Sequence, residues 1–458
     1  MIRLEKFEPT AENVGKIVDY FRHSQLPRLN RLWDYYDAKT DKKKEHTDPE
    51  RPDNKLAHAY ARYITTIQTG YFMGVNVKYR SSNEEYLEKY TSLLKDNFEE
   101  DVNFELAKSQ SIFGYGVELV YQNKVGDTRF KKLDPREVIL VFSPQIEEFL
   151  LCAIRYYQSQ EIGGDIVQYA VVYTDEEIKM FKQSGEDKGF TLAHIEENIF
   201  KEIPIVIYKN NEEMKSDYED MLTLNNAYDT SQSNTANDVD YFNDAYMLIK
   251  GYNDVASGAD MEDGAVGDSS GRSGSDPIQK GRLIYFPDGG DARFLTKDIN
   301  DSATENYKSR LNSDIHKFSL TPDLADEKFA GNLSGIAIKF KTIPLEQNAK
   351  PKENKFRVGL RKRREIISRI FAIKGKAYDY REIDEEFTRN LPVNALEETN
   401  RILAMAPFIS RRTLLEKLID IEDVDEEIKR LSEESDEYDH REYGIDLERL
   451  DAEPQETE

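Results

Sequence analysis

Residues 307–336, YKSRLNSDIHKFSLTPDLADEKFAGNLSGI, hold the pattern that decides the fold. Apolar side chains recur at helical spacing in the first half of this stretch, at Tyr307, Leu311, Ile315 and Phe318. Pro322 ends the run, because the residue before a proline is pushed out of the helical region. A polar loop follows, and Asn332 and Ser334 are suitable caps for a second helix. The pattern predicts a helix, a loop and a helix, which by itself indicates only a turn between two helices.

The segment before this stretch predicts a long helix and a small β-containing excursion. Residues 217–251 read as helical, with an apolar stripe at i, i+3, i+7 and i+10 formed by Val239, Phe242, Tyr246 and Ile249. Residues 251–275 hold six glycines and few apolar side chains, which favours a flexible segment. Residues 280–286 and 292–295 predict two strands joined around an Asp-Gly-Gly turn.

The first half of the chain predicts an α+β domain. Helical periodicity covers most of residues 1–60 and returns further on, with one strand-like stretch at 75–79 among helices at 55–73, 84–97 and 103–112. The middle third changes to short strands bounded by turn residues, at 117–121, 128–133, 138–142, 149–157, 167–173 and 203–208. Short strands with helices between them are typical of a mostly antiparallel sheet in an α+β fold.

Residues 336–376 form a strongly basic segment, with thirteen basic and three acidic side chains. Apolar residues recur through it at helical spacing, while Pro344 and Pro351 should bend or break the helix. Two interpretations, a solvated helix face and a contact with DNA or an acidic neighbour, fit the central run Arg361, Lys362, Arg363 and Arg364. Residues 411–458 carry nineteen acidic and seven basic side chains, so this tail is an internal partner open to the basic run.

The charge of the whole chain limits its relationship with nucleic acid. With 88 acidic against 63 basic side chains, the formal net charge of the 458 residues is −25. Proteins that grip duplex DNA are usually basic, because their affinity comes from neutralising phosphates. Tight wrapping of nucleic acid is therefore disfavoured. Solubility explains such a charge by itself, and a surface that repels nucleic acid is the other interpretation.

The sequence offers no pattern typical of catalysis or of cofactor binding. It contains no G-x-x-x-x-G-K-[ST] phosphate loop and no Cys/His spacing that supports zinc. His58 and His316 each lie on a predicted helix, where a structural role outweighs metal ligation. Cys152 lies in an apolar run and predicts a buried strand residue outside any disulfide framework. We expect no catalytic residue, no cofactor, no metal site and therefore no enzyme.

The sequence also bears on where the protein works. No apolar stretch approaches the roughly 18–20 residues needed to span a membrane. The N-terminal residues MIRLEKFEPT lack the apolar centre of a signal peptide. We therefore expect a protein without membrane contact, made and used in the cytoplasm or on something assembled there.

Several phrases occur together and in one order: PDNKLAHAYARYI at 52–64, GYFMG at 70–74, YGVELVY at 115–121, LDPREVI at 133–139, and the stretch 307–364. In these segments the chain resembles the portal proteins of tailed double-stranded-DNA bacteriophages, especially long-tailed phages of Gram-positive hosts. The resemblance covers most of residues 28–380 and is weak at 1–27 and in the C-terminal tail. It implies a portal-type ring subunit.

The resemblance also implies how the subunit is divided. It places an α/β wing at 1–225, stem helices at 226–252 and 298–321, and a small β-containing clip at 253–297. A tunnel loop at 322–333, a kinked helix linking stem and wing at 334–389, a helical crown at 390–450 and a disordered tail at 451–458 complete the chain. Stem packing would use the apolar residues of both stem helices, Val239, Phe242, Tyr246, Ile249, Tyr307, Leu311, Ile315 and Phe318.

The function implied by the resemblance is a channel for DNA at one vertex of the capsid. About twelve subunits, or thirteen when isolated, would form a ring through which double-stranded DNA is packaged and later ejected. Tunnel-loop residues would touch DNA transiently, at Asp326, Glu327, Lys328, Phe329 and Asn332. Leu324 and Phe329 have a second interpretation, in which they pack against neighbouring loops.

The implied partners follow from the same resemblance. They are the terminase large subunit, a head-completion or tail adaptor protein, and the scaffold and major capsid proteins. The implied location is the virion, at the portal vertex, with assembly in the host cytoplasm. The alternative function is a non-enzymatic capsid scaffold or nucleic-acid-binding protein that uses the basic helix 339–376 as its contact.

Overall fold

The computed structural model describes most of the chain and divides it into two compact units. The described residues are 2–39, 52–146, 148–160, 166–185, 189–242, 246–250, 278–280, 283–286, 291–295, 301–324, 335–390, 402, 404–415, 421, 424 and 426–433. The first unit comprises 1–330 with 341–390, and the second comprises 331–340 with 391–458. Helices and strands both contribute to the first unit, as expected for an α+β fold.

Five helices occupy the first part of the chain. They are α1 (Ala11–Ser24), α2 (Leu26–Tyr36), α3 (Tyr60–Met73), α4 (Glu84–Asp96) and α5 (Glu99–Phe113). Thr10 caps α1 by accepting from the Asn13 amide at 3.3 Å, as a threonine before a helix favours. Gly114 ends α5 in the left-handed region, where a Cβ would lie 1.9 Å from the Met214 carbonyl oxygen.

A six-stranded sheet has the strand order β1-β5-β6-β7-β8-β9. Its members are β1 (Ile2–Arg3), β5 (Val138–Phe142), β6 (Leu150–Gln160), β7 (Ile166–Tyr173), β8 (Glu177–Ser184) and β9 (Thr191–Glu197). Strands β5 to β9 form an antiparallel meander, and β1 adds in parallel to β5. Cys152 is fully buried in β6, so that prediction is confirmed.

A second, three-stranded sheet completes the middle of the chain. It consists of β3 (Tyr115–Gln122), β4 (Thr128–Leu133) and β10 (Ile205–Lys209), in the antiparallel order β10-β3-β4. All six strands predicted in the middle third are therefore present. Two more, β8 and β9, were not predicted.

Helix α6 (Leu222–Phe242) ends earlier than its apolar stripe predicts. Tyr246 and Ile249 lie in strand β11 (Tyr246–Lys250) instead, so the prediction of one helical seam is wrong for these two residues. Residues 246–250 read Tyr-Met-Leu-Ile-Lys, a continuous apolar run that ends in lysine, and a run this short cannot distinguish the strand period from the helix period.

Strand β11 lies at the centre of a four-stranded sheet. The others are β12 (Ile278–Lys280), β13 (Leu283–Phe286) and β14 (Asp291–Leu295), in the order β12-β13-β11-β14. The predicted strand 292–295 lies within β14, but the prediction of one strand at 280–286 is wrong, because β12 ends at Lys280 and pairs antiparallel with β13. The prediction that 280–286 and 292–295 pair around the Asp-Gly-Gly turn is also wrong. Strand β11 pairs in parallel with β13 and antiparallel with β14, and so separates them.

Helix α7 (Asp301–Phe318) ends before Pro322, at a residue whose backbone adopts the left-handed conformation. Leu320 has a φ of 54°. The Thr321 amide donates to the His316 carbonyl at 3.1 Å and the Leu320 amide to the Lys317 carbonyl at 3.4 Å, which is the Schellman arrangement of a helix end. Pro322 follows this cap.

Helix α8 (Gly335–Ile373) is the longest helix described. It continues through Pro344 and Pro351, so the predicted alternative of a break is wrong, and the bend stays a prediction. Gly375, with a φ of 102°, ends it. Strand β15 (Ile383–Glu386) then pairs antiparallel with β2 (Lys78–Ser81), which returns the chain to its N-terminal part.

Two buried apolar cores hold the first unit together. One lies between α1 to α3 and the six-stranded sheet. The other places the inner face of α8 against α4, the end of α3 and the three-stranded sheet, through Phe356, Leu360, Ile366, Ile367 and Ile370. Burial of one such side chain contributes about 1.5–3 kcal/mol, so α8 is an integral part of this core.

The second unit is described only in short pieces. Ser410 caps a short helix, Arg411–Leu415, by accepting from the Thr413 amide at 3.3 Å. Residues 426–433 are helical. These pieces overlap the predicted crown, and the predicted tail at 451–458 lies outside the described residues. Among the described residues, no helix combines the length and the apolar character needed to cross a membrane.

Candidate functional site

The entry to the predicted tunnel loop is fixed to α3 by hydrogen bonds. Tyr63 Oη accepts from the Leu324 amide at 2.9 Å and donates to the Pro322 carbonyl at 3.0 Å. The buried Gln68 donates from Nε2 to Thr321 Oγ1 at 2.9 Å. These bonds give partners to backbone and side-chain groups just beyond the end of a helix, where regular pairing stops.

Further polar contacts join the same turn to α7. Asn312 Nδ2 donates to Asp323 Oδ2 at 3.2 Å, and Tyr60 Oη donates to Asn312 Oδ1 at 2.7 Å. His316 Nδ1 lies 3.1 Å from the Thr321 carbonyl oxygen, and its Nε2 lies 3.6 Å from Asp323 Oδ2. Since a carbonyl only accepts, Nδ1 carries the proton, and His316 has a structural role.

The tunnel-loop residues themselves fall beyond this turn. The predicted DNA contacts Asp326, Glu327, Lys328, Phe329 and Asn332 lie outside the described residues. Leu324 is described: its amide is held by Tyr63, and its side chain is about half exposed. The structure therefore places the root of the loop, and the roles of its central residues stay predictions.

Polar residues of α6 hold the extended segment that precedes α3. Accepting side chains recur every four residues along one helix face, at Asp229, Ser233 and Asn237. They accept from alternate backbone amides, those of His58 at 2.9 Å, Leu56 at 3.0 Å and Asn54 at 2.6 Å. His58 Nδ1 also lies 2.8 Å from Asp229 Oδ1, which gives this histidine a structural role. The polar stretch of α6 is thus a surface that binds backbone.

The predicted stem residues divide between core and surface. Leu311 and Ile315 are buried, whereas Tyr307, Phe318 and Val239 are about half exposed. Helices α6 and α7 flank a cleft of about 810 Å³ that is lined by Val239 and Tyr307 among others. Two residues thus pack within the subunit, and three apolar side chains remain available to a partner.

Arg363, at the centre of the basic run, is fully buried in α8. Its Nη2 donates to Glu118 Oε1 at 2.7 Å and its Nε to Glu118 Oε2 at 2.9 Å, a bidentate pair. Nη2 also donates to Asn103 Oδ1 at 2.9 Å, and the guanidinium carbon lies 4.4 Å from the centre of the Phe130 ring. The side chain therefore joins α8 to α5 and to the three-stranded sheet.

Opposing effects set the protonation of this cluster. Burial is the largest effect and would lower the pKa of Arg363, but the charge and hydrogen bond of Glu118, together with the charge of Glu99 and other neighbours, outweigh it and raise that pKa well above its usual value. Burial raises the pKa of Glu99 against the charge of Arg363. Burial also raises the pKa of the Tyr79 and Tyr208 phenols, so both remain hydrogen-bond donors. Tyr208 Oη donates to Glu118 Oε2 at 2.9 Å.

The neighbouring basic residues also find partners inside the subunit. Arg364 is buried, pairs with Glu385, and donates from Nε to the Tyr380 carbonyl at 3.1 Å. Lys362 pairs with Glu202. Arg361 is exposed, with its guanidinium carbon 5.6 Å from the centre of the Tyr380 ring.

Both interpretations of the basic run are therefore wrong for Arg363 and Arg364. These side chains are neither solvated nor accessible to DNA, and their carboxylate partners lie in the first unit and not in the acidic tail. The burial also weighs against the alternative function, since a DNA-contacting helix needs its cations at the surface. Arg361 is the residue of the run that stays exposed.

Another buried ion pair lies closer to the N-terminal end of α8. Lys352 Nζ is 2.6 Å from Asp217 Oδ2, and both side chains are 1% exposed. Asn210 and Asn348 donate to Asp217 Oδ1 at 2.9 and 3.2 Å. Burial opposes ionisation of Asp217, but the charge of Lys352 and its hydrogen bond outweigh burial and lower the pKa of that carboxyl.

Sequence reasoning missed the acidic half of these pairs. Glu118 lies in the apolar segment YGVELVY and is fully buried in β3. Its neighbours from Tyr115 to Val120 are also buried, except Leu119, which is partly exposed. A carboxylate inside such a strand was the available signal, because a buried charge requires a partner. The identity of that partner, 245 positions away, has no local signal. Among the described residues no group of three or more His, Cys, Asp or Glu side chains is arranged to hold a metal ion.

Comparison with known proteins adds independent evidence. The family model described as phage portal protein, SPP1 Gp6-like, matches residues 16–441. The portal protein of Bacillus phage SPP1 is 24% identical over 462 aligned positions, which cover 94% of this chain and 88% of that protein. The portal protein of Clostridium phage phiCD119 is 25% identical over 405 positions, covering 83% and 85% of the two chains. Because the family model spans most of its length, this chain belongs to the SPP1 Gp6-like family of phage portal proteins.

Proposed function

We propose that the protein forms a ring-shaped channel at one vertex of a phage capsid, through which double-stranded DNA is packaged and later ejected. The match of the portal family model over residues 16–441 carries this proposal. In it, 1–225 is the wing and 253–297 the clip. The stem helices are the helical parts of 226–252 and 298–321, and 322–333 is the tunnel loop. Helix α8 connects the stem to the wing, and 390–450 forms the crown.

Ring closure needs one face of each subunit to fit a different face of the next. The half-exposed Val239, Tyr307 and Phe318 on α6 and α7 support a stem contact of this kind. Apolar side chains of this size gain about 1.5–3 kcal/mol each when fully buried, so a neighbouring subunit that covers them is stabilised. We infer a ring of about twelve copies.

The channel wall would act on DNA through weak, averaged forces. A formal charge of −25 per chain repels the phosphate backbone, and burial of Arg363, Arg364 and Lys352 removes three cations from the surface. Loop residues Lys328, Phe329 and Asn332 would then touch DNA without sequence preference, because phosphate contacts carry no sequence information.

The protein would supply no chemical step itself. The portal family is structural, and the chain lacks the phosphate-binding loop of a packaging ATPase. We propose that the terminase large subunit docks during packaging and a head-completion or tail adaptor protein docks afterwards. The scaffold and major capsid proteins would surround the ring, which is retained in the virion.

Electron microscopy of the purified full-length protein tests the ring. Negative staining should show closed rings with a central hole about as wide as a DNA duplex, and sedimentation should show one assembly much larger than 53 kDa. Single chains at every concentration and salt, together with absence of the protein from finished particles, would rule the proposal out.

Packaging assays test the loop separately. Replacing Glu327, Lys328 and Phe329 by Gly or Ser should leave rings intact but reduce the DNA held per particle. Replacing Lys131 on β4 and Glu177 on β8 by Gly or Ser is the control and should change neither the rings nor the DNA held per particle. Normal packaging and retention by the loop variant would remove the loop from the mechanism.

A further inference from the structure

We propose that α5 carries both halves of a contact between neighbouring subunits: Phe98, at its N-terminal end, inserts into the cleft at the C-terminal end of α5 of the next copy. The occupant of the cleft is thus a second copy of this chain. The inference rests on the ring of the proposed function and names residues that would hold it together in the wing.

Phe98 is unusual for its position in three respects. It occupies the N-cap position of α5, yet no side-chain hydrogen bond caps the helix. Its backbone is left-handed, with φ 51° and ψ 49°, a region that residues with a Cβ avoid. Its aromatic side chain is 77% exposed. An asparagine here would tolerate the left-handed backbone better, so the isolated subunit gains nothing evident from phenylalanine. Such outliers persist where function requires them.

The residues next to Phe98 are acidic. The first turn of α5 contains Glu99, Glu100 and Asp101. Glu99 is buried in the Arg363 cluster, whereas Glu100 and Asp101 are exposed. The N-terminal end of α5 therefore presents an aromatic side chain beside two surface carboxylates.

The opposite end of α5 borders a cleft of about 520 Å³. Its apolar walls are buried residues, namely Leu29, Tyr115, Leu140 and Met214. Arg28 places it at the helix end: Nη1 donates to the carbonyl of Phe113, the last residue of α5, at 3.5 Å. Nη2 donates to the Met214 carbonyl at 3.0 Å.

The rim of the cleft carries three cations, Arg3, Arg28 and Lys215, and two carboxylates, Glu213 and Glu219. Glu219 is bound by Arg28. Arg3 and Lys215 each form one ion pair at the surface, with Glu148 and Asp220. Exposed pairs of this kind exchange readily, so Arg3 and Lys215 can turn to carboxylates of a neighbour.

The two features fit a head-to-tail contact. Helix α5 has 15 residues and is about 22 Å long, so Phe98 and the cleft lie at opposite ends of one rigid element. In a twofold dimer, one interface would contain the contact between Phe98 and the cleft twice. In a head-to-tail arrangement, each subunit inserts Phe98 into one neighbour and receives Phe98 from the other, and this repetition can close into a ring. The ring of Phe98 would meet apolar walls, and Glu100 and Asp101 would meet Arg3 and Lys215 on the rim.

Assembly of the full-length Phe98→Asn variant separates a contact role from a structural one. Since asparagine suits the left-handed backbone, the melting temperature of the subunit should stay equal or rise. The concentration at which half of the chains are in rings should rise about tenfold or more, as for loss of an aromatic anchor. Val125→Asn, which removes another exposed apolar side chain (82%), is the control and should leave assembly unchanged.

A charge exchange tests the partner. Asp101→Lys and Lys215→Asp should each weaken assembly, and the double variant should assemble better than either, because the exchanged charges meet between subunits. Additive losses, or unchanged assembly of Phe98→Asn in a protein that forms rings, would overturn this contact and leave the proposed function intact. Absence of rings from the unmodified protein would overturn both.

Discussion

At the scale of single residues, Arg363 and Lys352 show why a basic helix need not bind nucleic acid. Each is buried in α8 and ion-paired, Arg363 with Glu118 and Lys352 with Asp217. Taking such charges out of water costs several kcal/mol per ion, and only close pairing with further hydrogen bonds offsets that cost. Both pairs meet this condition, so their cations serve the interior of the subunit.

Removing one partner of the Arg363 pair should be strongly destabilising. Arg363→Met leaves Glu118 buried without its cation, which we expect to reduce the free energy of unfolding by about 3–5 kcal/mol. Urea unfolding followed by circular dichroism measures the change. The double variant Arg363→Met with Glu118→Gln should recover part of the loss. A single variant as stable as the unmodified protein would contradict the role of the pair.

The Asp217 pair should make stability depend on acid. Its folded pKa is lowered, so its contribution is complete above the unfolded aspartate value of about 3.9 and is lost as the pH falls through the folded pKa. The stability difference between the unmodified protein and Asp217→Asn should therefore be constant from pH 7 to about 5 and shrink below about 4. Asp175→Asn, an exposed position, is the control. A difference that does not vary with pH would exclude this linkage.

At the scale of elements, the backbone of α8 closely approaches the three-stranded sheet. A Cβ added at Gly359 would lie 2.4 Å from Cδ1 of Tyr208 on β10. Glycine therefore permits this contact, although it lowers helix propensity by about 1 kcal/mol relative to alanine. The same helix supplies the apolar face of the second core and the cations of three buried ion pairs, Arg363, Lys352 and Arg364.

Gly359→Ala should consequently destabilise the protein in spite of the better helix propensity. We expect a loss of about 1–3 kcal/mol from overpacking against Tyr208, measured by urea unfolding. Val358→Ala, at the exposed neighbouring position, should stay within about 0.5 kcal/mol of the unmodified protein. Equal or higher stability of Gly359→Ala would mean that α8 and β10 can separate at little cost.

The elements also show what the sequence could and could not predict. Strands with one or both faces buried, such as β5 and β6, were predicted because burial imposes alternation or an apolar run. Strand β9 was missed because all seven of its residues are exposed, so no periodic signal exists. The helical stripe ending in Tyr246 and Ile249 failed because short apolar runs fit both periods. The basic run failed because its partners are distant in sequence.

At the scale of the whole molecule, acidic charge and buried cations act in the same direction. The chain carries a formal charge of −25, and part of its positive charge is enclosed in ion pairs. Electrostatic affinity for DNA grows with the number of phosphates that surface cations neutralise. An assembly whose carboxylates outnumber its cations should let a duplex move past it.

The purified assembly should therefore bind duplex DNA weakly. Fluorescence anisotropy with a labelled duplex at about 0.15 M salt should give a dissociation constant weaker than about 10⁻⁴ M, with little dependence on salt. Micromolar affinity that falls steeply with added salt would favour the scaffold or nucleic-acid-binding alternative and contradict a repelling wall.

The position of Arg363 also has a consequence for synthesis on the ribosome. Glu118 is synthesised 245 positions before Arg363, the cation that it pairs with. At about 5–20 residues per second, that interval lasts roughly 10 to 50 s. Until then the nascent chain contains an uncompensated carboxylate at Glu118 and lacks the helix that covers its second core. The first unit can thus complete its folding only after translation has passed α8.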